Sequence, residues 1–110
     1  MKPKKLHDLA QKALEDLKGQ DIVSINITKM STIADYMIVV TATSSRHAKS
    51  LADEVVKRCK DAGAPPRSME GQETGEWVLI DLGDVIVHVM LASVRKLYDL
   101  ESLWKITTKA

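Results

Sequence analysis

Asp81 and Asp84 are the residues whose type and spacing come nearest to catalytic chemistry. Two carboxylates serve phosphoryl transfer when they converge on metal ions a few ångströms apart. Here Leu82-Gly83 lies between them and predicts a tight turn with one acid at each end, where carboxylates ordinarily bond nearby backbone amides. Thr41-Ala42-Thr43-Ser44-Ser45 lacks the glycines that would let a phosphate approach the backbone, so Ser44, Ser45 and Arg46 read as a helix start carrying an exposed base. His7, His47 and His88 have no paired-ligand spacing, and neither a metal nor a cofactor is expected. His88 alternates with Ile86 and Met90 on one strand face. That predicts a half-buried ring hydrogen-bonded to a carboxylate such as Asp35 or Glu101; no nucleophile is spaced to make it a catalytic base.

What the chain does concentrate is contact-making side chains. Only 4% of its residues are aromatic, yet the stretches 75–90 and 95–104 hold both tryptophans, Trp77 and Trp104, together with Tyr98 and His88. Trp77, Leu79 and Asp81 share one face of a strand, with Val78 and Ile80 on the other. An aromatic residue alternating with an acid suits a row that meets a partner, although Trp77 could instead simply cover a sheet edge. In the final segment Val94, Leu97, Tyr98, Glu101 and Trp104 follow one helical stripe, widened by Leu100 and Leu103. This arc is broad for a helix with one buried side, and Tyr98 and Glu101 are its first candidates for function. A helix simply seated on the sheet explains Leu97, Leu100 and Leu103 equally well.

These side chains need a frame, and the hydrophobic periodicity supplies one. Leu6, Leu9, Ala10, Ala13, Leu14 and Leu17 recur at helical spacing, with Gly19 placed to end the helix. Val23, Ile25 and Ile27 alternate with polar neighbours, and Tyr36-Met37-Ile38-Val39-Val40 suits a strand buried on both faces. After Ser44 or Ser45 as cap, Ala48, Leu51, Ala52, Val55, Val56 and Cys59 predict a second helix ending near Gly63. Pro65-Pro66 leads to a short strand at 67–70 and a flexible loop at 71–75. Strands at 77–81 and 84–91 follow, then a helix over 93–104 and a mobile tail from about residue 105. The order helix, two strands, helix, three strands, helix predicts an α/β fold. Helices pack on a mixed β-sheet of about five strands, with a right-handed crossover in the strand-helix-strand unit.

The 110 residues fit a single domain, 1–110. Sixteen bases against fifteen acids leave a net charge of +1, too small to drive binding to bare nucleic acid, so any RNA contact is local and no DNA partner is expected. Cys59, alone and on an apolar helical stripe, reads as a buried structural thiol in a reducing compartment. No run of about eighteen apolar residues occurs, and the expectation is a cytoplasmic protein without a membrane partner.

From Asp21 through Trp104 the chain resembles the ribosomal silencing factor family, also called RsfS or Iojap. The matching pieces are Asp35-Tyr36-Met37-Ile38-Val39, Thr43-Ser44-Ser45-Arg46-His47, Glu70-Gly71, Gly75-Glu76-Trp77-Val78-Leu79-Ile80-Asp81, Gly83-Asp84-Val85-Ile86-Val87-His88 and Leu97-Tyr98-Asp99-Leu100-Glu101-Ser102-Leu103-Trp104. Several spaced motifs in one order make the match specific. The resemblance implies a nucleotidyltransferase-like fold without transferase activity. It also implies a protein that binds the large ribosomal subunit at its fourteenth protein, keeps the small subunit from joining, and lowers translation when nutrients are scarce. Ala42, Leu82, Met90 and Leu97 depart from the residues usual in the family, and only the contacts around Leu82 are affected. On this reading Trp77, Leu79 and Leu82 are apolar contacts, Tyr98 an amphipathic anchor, Asp81, Asp84, Arg95 and Glu101 orienting polar groups, and His88 a support for the surface. The competing expectations are a nucleotide-dependent enzyme using Asp81 and Asp84, and a homodimer built on the same apolar arc.

Overall fold

The computed structural model describes residues 1–99. Its elements are α1 (Pro3–Asp16), β1 (Gln20–Asn26), β2 (Tyr36–Ala42), α2 (Ser45–Asp61), β3 (Ser68–Glu70), β4 (Trp77–Asp81), β5 (Val85–Leu91) and α3 (Ala92–Tyr98). The five strands form one mixed sheet in the order β1-β2-β5-β4-β3; β2 and β5 run parallel and every other neighbouring pair antiparallel. The α/β architecture expected from the periodicity is the one observed.

The long helices cover one face of this sheet. Leu6, Ala10, Ala13 and Leu14 of α1 and Leu51, Val55 and Cys59 of α2 pack with Ile38, Val40, Val78, Ile80, Val87 and Val89 of the strands. Each of these side chains lies on the inward side of its own period, 3.6 in the helices and 2 in the strands. Cys59 is fully buried, and burial raises its thiol pKa, as suits a structural thiol. Ser44 is the cap of α2: its Oγ accepts the His47 N–H at 3.0 Å. His47 Nε2 in turn donates to the Leu17 carbonyl at 2.9 Å, fastening the start of α2 to the end of α1. Farther along, Arg58 bridges Glu54 at 2.7 Å and Asp16 at 2.8 Å. The left-handed residue after α1 is Lys18 (φ 61), not Gly19. Gly19 is needed for space, because a Cβ there would sit 2.6 Å from Val40 Cγ2.

The opposite face carries a smaller cluster of Ile27, Ala34, Met37, Val39 and Met90, with Trp77, Ile86 and Val94 partly buried against it. The polar connection after β1 folds back here, held by Ile27 N–H to the Asp35 carbonyl at 2.9 Å. α3 lies over β2 and β5 on this face, where Arg95 Nη1 donates to Thr41 Oγ1 at 2.7 Å. The outermost strand β1 is irregular: its register shifts between Gln20 and Val23, and Asp21 takes a positive φ of 48.

Candidate docking surface

Because side chains alternate, β4 sends Val78 and Ile80 into the main core and Trp77, Leu79 and Asp81 to the open face. The register then builds rows across the sheet: Glu70, Leu79, His88 and Val39 in one, Ser68, Asp81, Ile86 and Met37 in the next. A shallow groove of about 270 Å³ runs between Glu70, Gly71, Trp77 and Leu79.

Trp77 sits at the centre, gripped from two sides. Its Nε1–H donates to His88 Nδ1 at 3.0 Å, and the Tyr98 ring packs on the indole with centroids 4.8 Å apart and planes inclined by 48°. The bond to Nδ1 places the His88 ring proton on Nε2. Burial lowers the His88 pKa from 6.5 to about 4, so the ring is neutral at physiological pH and remains an acceptor. The carboxylate partner expected for His88 is replaced by this indole. Asp35 bonds through its backbone N–H to the Asp84 carbonyl at 2.8 Å, and Glu101 lies outside the described residues.

Gly71 fixes the near edge of the groove. It holds φ +87, and a Cβ on it would lie 2.0 Å from the Trp77 carbonyl oxygen. Only glycine lets the loop after β3 approach the start of β4 this closely.

The turn between β4 and β5 engages both aspartates in local hydrogen bonds. Asp81 Oδ1 accepts the Gly83 N–H at 2.8 Å, and Gly83 takes a φ of +91. Asp84 is exposed, and its carbonyl receives the N–H groups of Asp35 and Tyr36 at 2.8 and 3.1 Å. Among the described residues no group of histidine, cysteine, aspartate and glutamate is arranged to hold a metal ion.

Leu82, expected as an apolar surface contact, is only 7% exposed and belongs to the main core. The connection is longer by one residue than the two-residue turn expected: it runs 82–84, and Leu82 continues the inward row of Val78 and Ile80. Leu97 and Tyr98, by contrast, are 77% and 56% exposed. The helix expected over 93–104 closes early. Asp99, at φ 43, is left-handed and donates its N–H to the Arg95 carbonyl at 2.9 Å, ending α3 at Tyr98. Of the stripe expected from Val94 to Trp104, α3 carries Val94, Leu97 and Tyr98; Leu100, Glu101, Leu103 and Trp104, like the tail expected from about residue 105, lie outside the described residues. Arg95, expected as an orienting group on the surface, is half-buried and bonded to Thr41. Ile86 and Glu70 join this face beyond the residues expected there. Ile86 could have been found from its alternation with His88, whereas Glu70 required knowledge of the β3 register.

The comparisons with known proteins agree with this architecture. The family profile described as "Ribosomal silencing factor during starvation" matches residues 1–110. A ribosomal silencing factor from Chromobacterium violaceum is 47% identical over 104 residues, covering 94% of this chain and 85% of the relative. One from Haemophilus influenzae is 41% identical over 99 residues, covering 90% and 97%. A crystal structure of a Chromobacterium violaceum protein superposes with a TM-score of 0.94 at 47% identity, covering 96% of this chain and 88% of that one. A profile spanning the sequence, relatives of this identity and a solved structure that superposes this well lead to one conclusion: the chain belongs to the ribosomal silencing factor family, a family of translation regulators.

Proposed function

We propose that this chain silences translation in the cytoplasm without making or breaking a bond. It docks the open sheet face on the large ribosomal subunit, chiefly at the subunit's fourteenth protein, and its bulk keeps the small subunit from joining. The observation that carries this reading is the exposed Tyr98 ring stacked on Trp77 beside the groove. Large rings held rigid at a solvent-facing site suit an interface anchor, which loses little freedom on binding. Leu79 and Ile86 extend the apolar surface, and Asp81 and Asp84 flank it at the hairpin end.

The test is co-sedimentation with large subunits, using the parent, Trp77→Ala and Tyr98→Ala, with circular dichroism to establish that all three are folded. Both variants are expected to lose most binding; full affinity in both counts against the placement. Light scattering of subunit joining, with and without the protein, tests steric exclusion directly. The enzyme reading is the weaker one, because the Asp81 carboxylate is already occupied by the Gly83 amide. It requires saturable binding of a nucleoside triphosphate with a divalent metal, measurable by calorimetry. Self-association through the same face is measured by sedimentation velocity.

A further inference from the structure

Neighbouring parallel strands open a crevice at their carboxyl ends when the chain leaves them towards opposite faces of the sheet, and ligands of α/β proteins bind in such crevices. β2 and β5 are the parallel pair here. From β2 the chain passes to α2 on the face of the main core, whereas from β5 it passes directly to α3 on the opposite face. Beside these two strand ends lies an open cleft of about 440 Å³, within the range of about 300–1,000 Å³ usual for small-molecule sites. Thr41, near the end of β2, and Ala92, just beyond β5, both line it. It sits at the other end of β5 from the Asp84 hairpin and shares no residue with the groove beside Trp77.

Irregular backbone meets in this cleft. Among the described residues three other than glycine hold a positive φ, Lys18, Asp21 and Asp99, and two of them line it. Asp21 stands in the register shift of β1 at φ 48, and Asp99 closes α3 at φ 43. Left-handed residues other than glycine store strain and cluster at ligand sites, and an irregularity in an edge strand re-aims a side chain. The same cleft holds the bases of α3, Arg95 and Lys96, with the Arg95 guanidinium positioned by the buried Thr41 at 2.7 Å. Asp21, Lys96 and Asp99 form no ion pair with one another. Opposite charges thus share one cleft without cancelling pairwise.

We propose that this cleft binds a free α-amino acid. Its ligand has to carry both signs close together, since the two carboxylates repel a bare anion and the two bases repel a bare amine. An α-amino acid meets that demand: its carboxylate is matched to Arg95 and Lys96, its ammonium to Asp21 and Asp99, and an apolar side chain to Val23 and Ala92. No bond is made or broken.

The test is a nuclear magnetic resonance titration of the full chain with leucine, at fixed pH and ionic strength. Two probes that each keep half of the charge accompany it: isopentylamine, which lacks the carboxylate, and isocaproate, which lacks the ammonium. Leucine is expected to shift the amide resonances of Thr41, Ala92 and Lys96 saturably. Both probes should bind at least about tenfold more weakly, through loss of the charge-assisted contacts to one group. Asp21→Asn, which keeps a side chain tolerant of positive φ, and Lys96→Met, at an exposed position, should each weaken leucine binding by about tenfold while leaving the core resonances in place. The inference is overturned if neither leucine nor any other common amino acid gives a saturable shift up to about 10 mM, a range that reaches past millimolar affinity. Either single-charge probe binding as tightly as leucine, shifts that map away from the cleft, or parental affinity in both variants overturns it as well. Ribosomes are absent from the titration, so its outcome is independent of docking.

Discussion

Trp77 owes its orientation to two neighbours of different character, a neutral imidazole that accepts its N–H and a phenol ring that covers its face. Truncating it to alanine is expected to weaken docking by about 2 kcal/mol or more, roughly thirtyfold, read as a rise in Kd for the large subunit. The state of His88 gives a second expectation. Above pH 6.5 neither the folded nor the unfolded chain protonates it. Between 6.5 and about 4 the unfolded chain binds a proton that the folded chain refuses, so stability falls as pH is lowered through that window. Urea midpoints should show this slope in the parent and a flatter profile in His88→Gln. The Asp8 and Asp16 carboxylates are held below 3.8, by Lys4 first and by Arg58 first respectively. Their contributions are present above that value and are lost only as pH falls further. Side-chain alternation revealed that Trp77, Leu79 and Asp81 share a face. It could not reveal the partner of His88, because that partner sits diagonally on another strand and the pairing register is a tertiary fact. Leu82 stands beside a turn glycine, and only the length of the connection makes it the next member of the inward Val78 and Ile80 row.

The elements were more legible than their ends. Helical stripes located both long helices, and alternation or apolar runs located β1, β2, β4 and β5, since burial on a sheet face demands that patterning; β3 is marked only by the Pro65-Pro66 stop before it. The end of α3 was not legible: Asp99 is an aspartate in a left-handed cap position more often filled by glycine, and no breaker in the sequence marks it. The loop between β3 and β4 yields the prediction at this scale. Gly71→Ala should destabilise the fold by about 1–3 kcal/mol, since a positive φ and a backbone collision coincide there. It should also weaken docking, because relief of the clash moves the start of β4 and Trp77 with it. Thermal denaturation paired with large-subunit binding checks both effects.

For the molecule as a whole, we propose that the chain unfolds as one unit. The parallel pairing of β2 with β5 joins segments far apart in sequence, and α1 and α2 both pack across the resulting sheet, so no part keeps its core when another leaves. A single calorimetric transition whose enthalpy equals the van't Hoff value is expected. Among the described residues the same sheet has two outer boundaries, and both are poor templates for another strand. β3 is three residues long, and β1 is broken by the register shift and the left-handed Asp21. A short edge and a kinked one offer no straight ladder of unpaired amides to a neighbouring molecule. However concentrated it becomes, the chain therefore offers its own copies no straight template for fibril growth along either of these edges.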